Sequence, residues 1–335
     1  VKAPFPWFGG KRKVAPQVWE ALGDVDHYVE PFAGSLAVLL DRPTWHKGTT
    51  ETVNDADQYI ANFWRALAHD PDQVVHYADW PVNETDLFAR HLWLVNEGKR
   101  RMQAGMEADP DWYDAKIAGW WVWGICAWIG SGWCSGTGPH TYETIASLPV
   151  DGDAGRGVNR KLPHLGDAGR GVNRKLPHLG DAGQGALYTY MRELAARLRN
   201  VRVVCGDWSR VVTGGALNYG DSVGVFLDPP YSNAAGRTAD LYAVDDLDVA
   251  HAVREWAIAN GDNPRYRIVL AGYEDEHAAH MPSTWRMVGY SANKAYGSSK
   301  AIGGINEANR HKERLWFSPH CIGRRTLFRL EGGDA

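Results

Sequence analysis

The run VGVFL (223–227) gives way at once to Asp228, Pro229, Pro230 and Tyr231. A short apolar run of Val, Phe and Leu reads as a strand. Two prolines, with no N–H to donate and φ held near −65°, stop ladder pairing there and stiffen the residues around them. An acid and an aromatic ring are thereby expected at the carboxyl edge of a strand, which is where open α/β sheets build their sites.

Other segments repeat the pattern of a strand, a polar tip and a helix. DHYVEPFAGSLAVLLDR (26–42) predicts a short strand around Tyr28–Val29, a loop of small residues and the start of an apolar helix at LAVLL. ETVNDADQYIANFWRAL (51–67) predicts a strand into Val53, an acidic tip at Asn54–Asp55 and an amphipathic helix. Further on, LYTYMRELAARL reads as a helix, VRVVCG as a strand with Asp207 at its tip, 243–260 as a helix, and YRIVLAGY and ERLWFSP as strands. Such alternation implies an α/β fold with a parallel sheet and right-handed crossovers.

The chain of 335 residues is long enough for one large α/β domain with a smaller inserted or appended one. VKAPFPWFGGKRK at the start has no signal-peptide core, and no apolar run is long enough to span a bilayer, so neither export nor membrane insertion is expected. Cys126, Cys134, Cys205 and Cys321 have neither CxxC nor zinc-finger spacing and read as thiols in a reducing cytosol; no metal site is expected. A formal net charge of −4 gives no global sign of a polyanionic partner, so any nucleic-acid surface must be local.

Residues 70–145 read as largely helical. The Trp-rich stretch 119–134 reads chiefly as dense aromatic core, with a minority of its rings available as a stacking surface. Next, GDAGRGVNRKLPHL at 152–165 recurs identically at 166–179, and GDAGQG at 180–185 begins a third copy. A 14-residue period this rich in Gly and Pro is too short for a helical solenoid and reads as a loop or hairpin excursion, a tandem duplication tolerated at a loop tip. Segment 151–200 carries nine Lys/Arg against five Asp/Glu. Arg156, Arg160, Lys161, Arg170, Arg174 and Lys175 within it supply the local cationic surface expected of a nucleic-acid contact.

Three strand-end features stand in order: EPFAGS (30–35), Asp55, and DPPY (228–231). A strand that enters a Gly-containing loop leaves backbone N–H groups for a ligand, and an acid at the next strand end suits ribose hydroxyls. GxGxxG is absent, so a single nucleoside-like cofactor fits better than a dinucleotide. Asp55 and Asp207 taken alone also read as helix N-caps.

With PWFGGK (6–11) ahead of them, these motifs resemble the Dam-type, class alpha (D12) DNA N6-adenine methyltransferases over roughly residues 1–70 and 186–320. The resemblance implies a Rossmann-like S-adenosylmethionine-dependent methyltransferase sheet of seven strands, helices on both faces and one antiparallel strand near the edge. Residues 1–70 and 186–335 would form the catalytic domain, and 71–185 an inserted DNA-recognition lobe. Trp7, Gly9, Gly10 and Lys11 would bind the methionine end of S-adenosyl-L-methionine. Glu30, Pro31, Phe32, Ala33, Gly34 and Ser35 would form the cofactor loop, and Asp55 would take the ribose hydroxyls. Asp207 would accept from the cofactor's adenine amino group, with Trp208 packed on its ring and Asp228 also bordering the cofactor.

The resemblance also assigns the chemistry at DPPY. The N6 of adenine is a weak nucleophile, its lone pair delocalised into the ring, so acceptors must hold its hydrogens in a geometry that favours sp³ character. The Asp228 carboxylate and the Pro229 carbonyl would do so, with Pro230 keeping the turn rigid and Tyr231 stacking on the flipped base. Double-stranded DNA is the implied substrate, in the cytoplasm of a bacterium or a phage-infected cell, as in modification for restriction systems. Cytosine-N4 methylation and a decayed DNA-binding module are the alternatives. Pro6 stands where several relatives carry a cation, and 71–185 does not resemble the recognition hairpin associated with GATC sites.

Overall fold

The structure is a computed structural model that describes residues 1–7, 11–43, 48–109, 111–128, 133–134, 184–230, 249–290 and 313–323. The strands are β1 (His27–Glu30), β2 (Thr50–Asp55), β3 (Val201–Cys205), β4 (Val223–Leu227), β5 (Tyr266–Tyr273), β6 (Arg286–Gly289) and β7 (Glu313–Phe317). They form one seven-stranded sheet in the order β3-β2-β1-β4-β5-β7-β6. The first five are parallel, and β7 runs antiparallel between β5 and β6. The Rossmann-like α/β expectation, with one reversed strand near the edge, therefore holds.

Side chains alternate across the sheet with the two-residue period of a pleated strand. Tyr28, Phe226, Val269, Ala271, Leu315 and Phe317 join one core, and Val29, Val225, Leu227, Ile268, Leu270 and Trp316 join the other. The first core is covered by α1 (Ala15–Leu22), α2 (Gln58–His69), α3 (Pro71–Ala78), α6 (Ala115–Ala127) and α7 (Gln184–Leu198). Val253 and Ala257 of α8 (Val249–Asn260) cover the second. Burial on both faces is what a mostly parallel sheet requires.

Between α3 and α6 lie α4 (Glu84–Trp93), a π-helical turn (Leu94–Gly98) and α5 (Lys99–Ala108). Helix α6 packs on α2 and α3, and α7 also packs on α2 and α3. Trp121 and Trp123 are fully buried, while Trp120 and Trp128 pack on the core's margin. Most of the Trp-rich stretch is thus core. Arg90 lies among these rings, its guanidinium 4.3 Å from the centre of Trp123 and a little over 5 Å from Trp80 and Trp120.

One local expectation fails. No α-helix starts at LAVLL; only a 3₁₀ turn forms over Leu39–Asp41. Leu36 takes a positive φ of 56°, which interrupts helical geometry at the run's first residue, and the Leu40 N–H to Leu36 carbonyl bond closes a single turn. Strand β6 was not anticipated: Arg286–Gly289 is short and largely exposed, without apolar alternation, and is a strand through its pairing with β7.

Candidate active site

The sheet's order changes direction at β1, which lies between β2 and β4. Parallel pairing of His27 with Val223 and of Val29 with Val225 brings the ends of β1 and β4 side by side. The EPFAGS loop leaves β1 there and Asp228 leaves β4 beside it, at the switch point where ligands bind in open α/β sheets. Pairing of Glu30 with Val53 and of Asp55 with Cys205 brings the ends of β2 and β3 to the same edge.

Lys11 reaches Asp228 directly: its ammonium Nζ is 2.9 Å from Asp228 Oδ1, and the lysine side chain is only 5% exposed. Burial alone lowers a lysine's pKa. Here Asp228, with further help from Tyr290 and Glu313, overrides it and holds the Lys11 ammonium well above its ordinary value. Burial raises the Asp228 carboxyl and Glu313 adds to that, while Lys11 opposes both. The lysine is therefore the group that favours the ionised acid in a site that otherwise disfavours it.

Glu313 and Tyr290 were not singled out from the sequence. Because β7 is antiparallel, its first residue, Glu313, lies opposite Tyr273 at the carboxyl edge of β5. The Tyr290 N–H donates to the Glu313 carbonyl. A strand reversal places a strand's first residue at an edge otherwise built from strand ends, and apolar patterning carries no sign of direction.

The EPFAGS loop is pinned by the tip of β2. The Gly34 N–H donates to Asp55 Oδ2 at 2.9 Å, the Asp57 N–H donates to Asp55 Oδ1 at 2.9 Å, and the Ala33 N–H donates to the Asn54 carbonyl at 2.8 Å. The expectation that this loop offers free backbone N–H groups at a helix start is corrected at Ala33 and Gly34, whose donors are taken by β2. Burial pushes the Asp55 carboxyl up to about 6 against these backbone bonds. Asp57, not Asp55, caps α2.

Gly34 has a φ of 46°, and a Cβ placed on it would come within 2.5 Å of Trp7 Nε1. Its carbonyl accepts from Trp64 Nε1 at 3.1 Å. Glycine is required there both by the left-handed backbone and by the indole lying against it. Ala33 and Ser35 are buried, and Glu30 is 3% exposed and accepts from the Tyr28 hydroxyl. Burial, with the neighbouring Asp228 charge, pushes the Glu30 carboxyl up to about 8 despite that hydrogen bond.

On the other side of the loop, the Phe32 and Trp208 rings face one another with centroids 6.3 Å apart and planes inclined by 26°. Asp207 is exposed and caps the short 3₁₀ turn Trp208–Val211 through the Ser209 N–H. Pro229 is buried and Pro230 half-buried. Gly9, Gly10, Tyr231, Arg156, Arg160, Lys161, Arg170, Arg174 and Lys175 lie outside the described residues.

The edge thus brings together a lysine-paired acid, a glycine packed under an indole, a half-buried acid at the second strand and a pair of facing aromatic rings. An acid at the tip of the second strand, with flat rings nearby at the sheet's switch point, fits a nucleoside-like group. Among the described residues, no group of three or more His, Cys, Asp or Glu is placed to hold a metal ion, and no helix is long and apolar enough to cross a membrane. No curated protein matches the chain. Residues 7–100, which hold Trp7, Lys11, the EPFAGS loop and Asp55, match the family of D12 class N6 adenine-specific DNA methyltransferases, the family that the motifs resemble, and this match supports adenine-N6 DNA methylation as the chain's activity.

Proposed function

We propose that the chain transfers a methyl group from S-adenosyl-L-methionine to the N6 of an adenine flipped out of double-stranded DNA at a specific sequence. The observation that carries this reading is the Lys11–Asp228 pair at the junction of β1 and β4, beside the loop pinned by Asp55. When bound, the cofactor supplies an electrophilic methyl on a sulfonium, a transfer that needs no metal.

The chain's own residues do the rest. Trp7, Gly9, Gly10 and Lys11 border the methionine end, Glu30 through Ser35 form the loop along the cofactor, and Asp55 takes the ribose. Phe32 packs against the cofactor's adenine or sulfonium region, and Asp207 and Trp208 hold its adenine end. Lys11 keeps Asp228 ionised by one oxygen. Asp228 and the Pro229 carbonyl then accept the two N6 hydrogens of the target base, so that the nitrogen lone pair turns toward the methyl group. The proton released after transfer leaves through the hydrogen bond that Asp228 has made. Tyr231 stacks on the extruded base, and Pro230 holds the turn.

Residues 71–185 form the target-recognition region in this reading, with Arg156, Arg160, Lys161, Arg170, Arg174 and Lys175 on phosphates. Affinity for DNA should accordingly fall steeply with salt. Incubation of unmethylated duplex DNA with methyl-labelled S-adenosyl-L-methionine, followed by nucleoside digestion and mass analysis, tests the reaction. N6-methyladenine is expected; N4-methylcytosine alone, or no methylated nucleoside despite cofactor binding, would overturn it.

A further inference from the structure

Asn54, the residue before the acidic tip of β2, does more than precede Asp55. It is 1% exposed, and its Nδ2 donates to two backbone carbonyls, Pro31 O and Gly206 O, each at 3.0 Å. Pro31 lies in the loop after β1, and Gly206 in the turn after β3. The Asn54 carbonyl meanwhile accepts from the Ala33 N–H, and the Gly206 N–H donates to the Asp55 carbonyl at 3.1 Å. Three adjacent strand ends are therefore tied through one side chain and the main chain around it.

The amide's orientation is dictated by these contacts. With two carbonyls facing one terminal atom, only the NH₂ group fits there; a flipped amide would set its oxygen against both. The orientation persists although Asn54 Oδ1 is buried and accepts no hydrogen bond. A buried acceptor left unmet is costly, so the double clamp on Pro31 and Gly206 outweighs that cost.

We infer that Asn54 is a positioning residue for the cofactor cleft: its NH₂ group sets the spacing between the loop that carries Phe32–Ser35 and the turn that carries Asp207–Trp208. The two facing rings, Phe32 and Trp208, follow Pro31 and Gly206 by one and two residues respectively, so releasing either carbonyl lets its ring drift. The inference rests on the proposed cofactor site but concerns geometry that exists in the free protein.

Asn54→Asp is nearly isosteric and replaces the two donors with acceptors facing carbonyls; Asn54→Ala removes the clamp without repulsion. Both are compared with the wild-type full chain in three measurements: amide hydrogen exchange of peptides covering 30–36 and 204–210 without cofactor, S-adenosyl-L-methionine affinity by calorimetry, and the split of KM and kcat. Faster exchange confined to those two peptides is expected, with cofactor affinity and cofactor KM weakened about tenfold. The KM for DNA and kcat at saturating cofactor should stay within about threefold of wild type, a pattern that a general loss of fold would not produce. Unchanged exchange and affinity in both variants, or equal loss in every parameter, would overturn the inference. Faster exchange in a chain that binds no S-adenosyl-L-methionine even as wild type would uphold the clamp and reject the proposed cofactor instead.

Discussion

Replacing Lys11 by methionine keeps most of the buried stem and removes the charge that faces Asp228. For unit charges 2.9 Å apart, Coulomb's law at an effective dielectric of about 20 gives roughly 6 kcal/mol of attraction. Desolvation of the two groups returns part of it, and breaking one side of a buried pair typically costs about 3–5 kcal/mol. The acid escapes some of that cost by taking up a proton. Burial already raises the Asp228 carboxyl with Glu313 acting in the same direction, and Lys11 is the group that opposes them. In Lys11→Met, Asp228 should therefore hold its proton to higher pH, and a protonated acid accepts poorly from the N6 amine. Methyl transfer to duplex DNA, followed from acid to alkaline pH, should show the acidic limb of kcat/KM displaced upward, with activity partly recovered at alkaline pH. Lys11→Arg, which retains the charge, should lie between the two. A Lys11→Met enzyme with the wild-type rate and the wild-type acidic limb would refute the assigned role of the pair.

Three further outcomes follow from the geometry. Gly34→Ala puts a Cβ within 2.5 Å of Trp7 Nε1 on a backbone with φ of 46°; cofactor affinity measured by calorimetry should fall by about tenfold, from roughly 1–2 kcal/mol of strain and displacement. Glu30 holds a proton in the folded chain up to a pH of about 8 but loses it near 4.5 once unfolded, so its contribution to stability is present below 4.5 and is lost as pH rises to 8. Glu30→Gln removes that loss, and thermal unfolding should show a higher Tm than wild type at pH 9, by an amount worth up to about 5 kcal/mol, with little difference near pH 4. Arg90→Met preserves packing but removes a cation stacked on Trp123, Trp80 and Trp120; urea unfolding should show a loss of about 2 kcal/mol.

The sheet was legible because its inner strands carry their own signals. VGVFL and YRIVLAGY are buried on both faces, and the polar residues that end β1 and β2 and follow β4 mark the edge that carries the candidate site. Strand β6 was not legible, since four mostly exposed residues have no core to declare and become a strand only through β7. Direction was equally hidden: nothing in ERLWF distinguishes a reversed strand, so Glu313 could not be assigned to the site edge from its own neighbours. LAVLL misled because apolar content suits a helix, whereas the loop that ends at Leu36 demands a left-handed residue at the run's start. Lys11 and Asp228 were each singled out, but more than two hundred residues separate them along the chain, and their pairing is a product of the fold. Asn54 carries no signal beside its charged neighbour, because an amide that bonds only to main-chain carbonyls leaves no motif beyond itself.

In the proposed reaction Asp228 holds the amine that receives the methyl group. The most direct measurement is single-turnover methyl transfer to duplex DNA by Asp228→Ala, alongside its equilibrium affinity for S-adenosyl-L-methionine. Retained cofactor binding, within about tenfold of wild type, is expected together with a loss of N6-methyladenine formation of at least about a hundredfold. Transfer at the wild-type rate with the carboxylate gone would contradict it.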